Sequence, residues 1–150
     1  VAGLARRLLA LPGGRLERKD LTMLSDACVT TMLPVKDMAR ARAFYEGRLG
    51  LQPGGLRPDG KFVYTVGGST LALFPKAEGT QADHTAISFR VADIAAAVLA
   101  LERAGVVFED YDFPNLKTVD HVCVLGAEKA AWFKDTEGNT LCIHEDLPAA

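Results

Sequence analysis

Hydrophobic and polar positions alternate along several short stretches of the chain, and they recur at helical spacing in two others. Alternation predicts strands with one buried face, because successive side chains of a strand point to opposite sides. The predicted strands are 28–35, 51–57, 61–66 and 70–75 in the first half, and 84–91, 106–112, 130–134 and 139–145 in the second. The predicted order of elements in each half is therefore strand, helix, strand, strand, strand.

The two helical stretches have matching ends. The first follows Asp37, whose carboxylate predicts an N-cap, and it stops before Gly50, which offers the left-handed conformation that often ends a helix. The second repeats this pattern with Asp93 and Gly105. The predicted apolar faces are Met38, Ala41, Phe44 and Tyr45 in the first helix and Ile94, Ala97, Val98 and Leu101 in the second.

The two halves are also related as an internal repeat. Residues 62–74 align without a gap to 132–144, and 35–39 resembles 91–95. The offset is 56 at the helix starts and 70 at the last strands, so the second copy carries extra residues, which fall within 111–129. A repeat of this kind predicts two copies of one supersecondary unit. The predicted fold class is α+β, with two βαβββ modules forming a cupped, partly barrel-like mixed sheet and helices outside.

The length and composition of the chain indicate how large a hydrophobic core it can bury. With 150 residues, 49% of them hydrophobic and 24% charged, the chain can bury one sizeable core. We expect a single domain over 27–146, with modules at about 27–76 and 84–146. Residues 1–26 lie outside the repeat and are predicted to be an N-terminal extension.

Charge and cysteine content restrict the partners and the location. The net charge of −2 and the lack of a clustered basic stretch argue against nucleic acid, and the lack of a long apolar run argues against a membrane. Three cysteines without a CxxC spacing indicate a reducing compartment, so we predict a cytoplasmic location. Cys28, Cys123 and Cys142 lie in apolar, strand-like settings and are predicted to be small core residues.

The modules and several local motifs resemble a known superfamily. The motifs are residues 31–35, 44–45, 49–51 and 132–139. With them, the region from about 27 to 146 is similar to the vicinal oxygen chelate superfamily, which includes glyoxalase I, extradiol dioxygenases and the bleomycin and fosfomycin resistance proteins. The resemblance implies that each module forms half of a cup whose cavity is the functional site. It also implies a homodimer.

Metal-dependent members of that superfamily hold a divalent ion in the cup with His and Glu side chains from the first and last strand of each module. The matching positions in this sequence are Thr30, Ala72, Ala86 and Cys142. None supplies an imidazole or a carboxylate, so we expect no metal and no cofactor. A displaced site is the alternative, because His84 and His144 lie two residues away on the same face, at roughly 6–7 Å.

Alternate residues of the strands predict the lining of the cup. The predicted ligand-binding residues are Thr30, Met32, Phe62, Tyr64, Phe74, Ser88, Arg90, Trp132, Cys142 and His144. Trp132 falls opposite Cys142 if Gly138 is left-handed in a three-residue turn that pairs Asp135 with Asn139.

Each of these assignments has a plainer alternative. Phe62 and Phe74 could equally pack in the core, and Arg90 could be a solvated side chain rather than an anion contact. The residues Tyr111, Phe113 and Asn115 of the extra segment could form a mouth or lid, or an ordinary surface loop. His121 lies in the same segment and is not placed by the pattern.

The function predicted from these features is that of a small-molecule-binding protein of the glyoxalase/bleomycin resistance type. Its partner would be a small, partly apolar organic ligand, bound without a metal in an aromatic-lined cup. The alternatives are a metal-dependent lyase or dioxygenase with a displaced site, and an interaction scaffold. Metal-free catalysis by His144 as a general base beside Cys142 is conceivable too, although no orienting carboxylate is evident on that face.

Overall fold

The structure is a computed structural model that describes residues 24–149, so most of the predicted N-terminal extension lies outside the described residues. The first module contains β1 (Thr30–Val35), α1 (Met38–Arg42), β2 (Pro53–Leu56), β3 (Phe62–Val66) and β4 (Ser69–Pro75). The second contains β5 (Thr85–Arg90), α2 (Ile94–Arg103), β6 (Phe108–Glu109), β7 (Asp112–Phe113), β8 (Leu116–Lys117), β9 (Cys123–Leu125), β10 (Glu128–Lys134) and β11 (Thr140–Asp146). Neither helix in the described part of the chain has the length and apolar character needed to cross a membrane.

The sheets confirm the duplicated, mixed α+β architecture. The first sheet has the order β1-β4-β3-β2, and the second has the order β5-β11-β10-β6, so the two modules share one topology. In each, the first strand pairs parallel to the last strand, and the remaining pairs are antiparallel. The extra residues of the second module form the β7-β8 hairpin and β9, which pairs with β10.

The helix ends follow the prediction. The Asp37 carboxylate accepts a hydrogen bond from Arg40 N, and Asp93 caps the second helix in the same way. Gly50 and Gly105 have φ angles of 69° and 94°, the left-handed region that ends each helix. One difference is that α1 continues as a π-helix over Ala43–Arg48, in which the consecutive aromatic side chains Phe44 and Tyr45 are both buried.

The core lies on the helix-facing side of both sheets and is continuous between the modules. Phe44 of the first module packs against Phe133 of the second, with ring centroids 6.4 Å apart. The buried cluster includes Leu33, Val35, Tyr45, Tyr64, Leu71 and Leu73 from the first module and Ile94, Val98, Phe133, Leu141 and Ile143 from the second.

The turn between β10 and β11 is folded around the buried carboxylate of Asp135. Gly138 is left-handed and Asp135 N donates to Asn139 O, as predicted. One carboxylate oxygen accepts from the backbone N–H groups of Glu137 and Asn139, each at 2.8 Å. The other accepts from Asn139 Nδ2 and from the hydroxyl of Tyr45 at 2.7 Å. Because Tyr45 belongs to the first module, this carboxylate joins the two modules.

Glu137 reaches from the same turn to the start of α1. Its Oε1 accepts from the backbone N–H groups of Lys36 and Asp37, and its Oε2 accepts from Arg40 Nε at 2.8 Å and from Thr136 Oγ1. The side chain of Glu137 is fully buried. Burial on its own would raise the pKa of this carboxyl group, but the donors, Arg40 first, outweigh it and lower the pKa to about 2.

Candidate functional site

We call the side of each sheet that points away from the core the cup face. In the first module, strand alternation puts Thr30, Met32, Val63, Thr70, Ala72 and Phe74 on this face. A recess of about 480 Å³ lies there, with Thr30, Val63, Thr70 and Ala72 in its lining and Arg57 and Lys61 beside them. Met32 is 43% exposed. Thr30, Met32 and Phe74 therefore lie on the predicted face.

Phe62 and Tyr64 do not lie on the cup face, so their predicted placement is wrong. The turn at residues 67–68 has two residues, and its register puts Val63, rather than Phe62, opposite Ala72. Phe62 and Tyr64 are both in the core cluster. The ungapped alignment of the repeat hides this shift, because the equivalent turn of the second module is longer. A shift of one residue moves a side chain to the other face of a strand.

The second module presents the more polar cup face. Trp132 lies opposite Cys142, as predicted, and the next pairs along the same two strands are Ala130 with His144 and Glu128 with Asp146. The neighbouring strand adds Ser88 beside Cys142 and Arg90 beside His144. The predicted residues Ser88, Arg90, Trp132, Cys142 and His144 are thus brought together on one surface.

Aromatic side chains form a corner on this surface. Trp132 and Tyr111 meet edge to face with ring centroids 5.7 Å apart, and Phe113 stacks on Tyr111 at 6.1 Å. The indole N–H of Trp132 donates to Thr85 Oγ1 at 3.1 Å. The Tyr111 hydroxyl donates to Glu109, and burial together with this carboxylate raises the pKa of Tyr111 to about 12. The extra segment of the second module therefore borders the cup face.

A group of polar side chains lies further along the same strands. His144 Nδ1 is 2.6 Å from Ser88 Oγ, and His144 Nε2 is 3.9 Å from Asp146 Oδ1. Glu128 completes the group, and Arg90, which is largely exposed, lies 3.6 Å from Asp146. The expectation of no carboxylate on this face is therefore wrong. Counting two residues beyond His144 along the strand would have found Asp146.

The cysteines differ from one another. Cys142 is buried, and its thiol donates to the carbonyl of Ile143 at 3.3 Å. Burial raises the pKa of Cys142 although a hydrogen bond with Ser88 acts in the opposite direction, so the group is a neutral thiol near pH 7 and a poor nucleophile. Cys123 is buried as predicted, whereas Cys28 precedes β1 and is exposed, so its assignment to the core is wrong.

The remaining histidines lie elsewhere. His84 is exposed, with Nδ1 3.0 Å from Thr85 O, and it lines a crevice of about 420 Å³ that also includes Met32 and Ala86. His121 bridges two carboxylates, with Nε2 2.9 Å from Glu102 and Nδ1 3.0 Å from Asp110. This bridge connects the extra segment to α2. His121 and Glu102 also line a groove of about 940 Å³ between the extra segment and the helix.

Two sheets of the same βαβββ topology, with open recesses on the cup face, define the fold class of the chain. The model of the Glyoxalase/Bleomycin resistance protein/Dioxygenase superfamily matches residues 28–143, and the chain belongs to this superfamily. Among curated protein sequences, none matches the chain at a significant level.

Several solved structures have the same fold. A glyoxalase/bleomycin resistance protein/dioxygenase from Nocardioides is 15% identical with a TM-score of 0.62, over 87% of this chain and 90% of that one. TnmS3, an antibiotic binding protein from Streptomyces sp. CB03234, is 19% identical with a TM-score of 0.61, over 83% of this chain and 99% of that one. A lactoylglutathione lyase from Agrobacterium tumefaciens is 21% identical with a TM-score of 0.58, over 80% of this chain and 93% of that one. At these identities the similarity shows the fold alone.

Proposed function

We propose that the chain binds a small, partly apolar organic molecule on the cup face of its second module, and that this binding needs no metal ion. The observation that carries the proposal is the aromatic corner of Trp132, Tyr111 and Phe113. Phe113 is 60% exposed although it is large and apolar. Aromatic walls with a few polar groups nearby, here Thr85 and Ser88, suit a planar organic ligand.

The residues at the superfamily's metal positions support binding without a metal. Thr30, Ala72 and Ala86 lack imidazole and carboxylate groups, and Cys142 is a buried thiol with a raised pKa. Among the similar structures, TnmS3 is described as an antibiotic binding protein, in agreement with a binding role. Another similar structure is described as a lactoylglutathione lyase, in agreement with the alternative that this chain is an enzyme. For this chain, that alternative is a metal-dependent lyase or dioxygenase with a displaced site.

The intrinsic fluorescence of the protein provides a direct test, because Trp132 is the single tryptophan in the sequence. Titration with a panel of planar aromatic compounds is expected to quench or shift its emission. For the tightest compound, Tyr111→Ala is expected to weaken binding about 10-fold or more, because it removes one wall of the corner. Affinity measured in EDTA is expected to equal affinity without it.

The matched control is Val124→Ala, which removes an exposed apolar side chain from a residue outside the corner. This variant is expected to bind the same compound with unchanged affinity. The proposal fails if no compound in the panel changes the emission, or if Tyr111→Ala and Val124→Ala give equal affinities. Loss of binding in EDTA favours the metal-dependent alternative.

A further inference from the structure

We infer that Glu128, His144 and Asp146 form a binding site for one divalent first-row transition-metal ion on the cup face of the second module. Each residue offers one ligand atom, and these atoms all lie within 4.8 Å of one another. None of the three occupies a superfamily metal position, which this sequence fills with Thr30, Ala72, Ala86 and Cys142. The site includes His144, one of the two histidines considered above for a displaced metal site, but binding of an organic ligand in the aromatic corner does not depend on it.

The strand register forces the three side chains together. The pairing of β10 with β11 sets Glu128 directly opposite Asp146 and Ala130 directly opposite His144. Side chains in such positions have Cβ atoms about 4.5–5.5 Å apart, and like charges placed there destabilise a sheet. The methyl group of Ala130 is small, so it leaves space beside the imidazole. A divalent ion between the two carboxylates would convert this repulsion into attraction.

The imidazole is already oriented for this role. Ser88 Oγ lies 2.6 Å from His144 Nδ1, which leaves Nε2 directed towards Asp146. The distance from Nε2 to Asp146 Oδ1 is 3.9 Å, too long for a hydrogen bond. Metal–ligand bonds of about 2.0–2.2 Å bring two such atoms to roughly 3 Å apart, so a side-chain movement of about 1 Å closes the site. Hydrogen bonding at the second ring nitrogen is the usual support of a metal-bound histidine.

Charge and donor type decide which ion fits. Within residues 24–149, Arg90 is the basic side chain that pairs with this group, and at 3.6 Å from Asp146 and 75% exposed it is a weak competitor. One imidazole and two carboxylates suit Zn²⁺ or Mn²⁺, whereas Mg²⁺ and Ca²⁺ prefer oxygen ligands alone. Three protein ligands leave further coordination positions open to water.

Isothermal titration of the EDTA-treated, dialysed protein with Zn²⁺ tests the site. We expect one ion per chain, no binding of Mg²⁺ at the same concentration, and loss of Zn²⁺ binding in His144→Ala. Glu128→Gln, which keeps the shape of the side chain, is expected to weaken binding at least 10-fold. Ser88→Ala is expected to weaken it about 10-fold, because the imidazole loses its orienting partner. Arg90→Gln is expected to tighten it a few-fold.

His84→Ala is the matched control, since it removes an exposed imidazole from another place and should leave Zn²⁺ affinity unchanged. Circular dichroism checks that each variant is folded. If His144→Ala does not fold, Glu128→Gln still tests the site. Absence of Zn²⁺ binding to the unsubstituted protein overturns the inference. An unchanged Zn²⁺ affinity of Glu128→Gln overturns it as well. So does a loss of Zn²⁺ binding in Cys142→Ala while Glu128→Gln binds Zn²⁺ as before. The fluorescence titration with organic compounds reports on the aromatic corner, so failure of one proposal is distinguishable from failure of the other.

Discussion

Replacing Glu137 by alanine is expected to reduce the free energy of unfolding by about 2–4 kcal/mol. The substitution leaves the backbone N–H groups of Lys36 and Asp37 without their acceptor, and it frees the Arg40 guanidinium from its buried partner. These groups begin α1, whereas Glu137 belongs to the turn between β10 and β11. The variant therefore loses a contact that joins the modules. Urea denaturation at pH 7 measures the loss.

The same carboxylate makes stability depend on pH in a defined direction. Its pKa falls from 4.5 to about 2 on folding, so the folded state favours the ionised form. This contribution, about 3 kcal/mol, is complete above the unfolded pKa and is lost as the pH falls from 4.5 towards 2. The stability difference between the unsubstituted protein and Glu137→Gln should shrink over that interval.

Glu78→Ala is the control for the Glu137 variants, because Glu78 is exposed. It is expected to change stability by no more than about 0.5 kcal/mol. Equal stabilities of Glu137→Ala and Glu78→Ala would show that the buried carboxylate does not hold the modules together. A stability difference that stays constant between pH 5 and pH 2 would contradict the lowered pKa.

Asp135→Asn is expected to destabilise the protein by about 2–4 kcal/mol. The carboxylate accepts four hydrogen bonds, including one from Tyr45 of the first module. An amide has one acceptor oxygen, so the substitution directs an NH₂ group at donors in a buried site. Tyr45→Phe removes one of the four donors and is expected to cost about 1–2 kcal/mol.

A double-mutant cycle on Tyr45→Phe and Asp135→Asn measures their interaction directly. We expect a coupling energy of about 1 kcal/mol or more, because the hydroxyl and the carboxylate are in contact at 2.7 Å in the core. Asp83→Asn, at an exposed aspartate, controls for the general effect of removing a charge. Additive losses in the cycle, or equal stabilities of Asp135→Asn and Asp83→Asn, would contradict the assignment.

Local sequence patterns were sufficient to predict much of the strand pairing and turn geometry of the second module. The alternation of residues, with a three-residue turn around left-handed Gly138, correctly placed Trp132 opposite Cys142. These features depend on neighbours within a few residues along the chain, where turn geometry and strand periodicity fix the outcome. The face of Phe62 could not be transferred from Trp132, because the first-module turn is one residue shorter than the second.

The polar contacts between the modules were not visible in the sequence. Tyr45 and Asp135 are 90 residues apart, and Arg40 and Glu137 are 97 apart. Each residue has an ordinary local explanation, as part of a helix face or a turn, and their partnership depends on how the modules pack. Glu128 and Asp146 were missed for a different reason. They lie at strand ends, where sequence patterns locate boundaries least well.

The unequal turns of the two modules also have a consequence for engineering the chain. The Gly67-Gly68 turn has open space around both residues, and it is the counterpart of the turn that carries Asp135 and Glu137. A reporter domain, or the new ends of a circularly permuted chain, can therefore be placed at Gly67-Gly68 with little loss of native contacts. The same operation between Asp135 and Asn139 would cut through the buried carboxylates. Two positions related by the repeat thus differ in their tolerance to insertion.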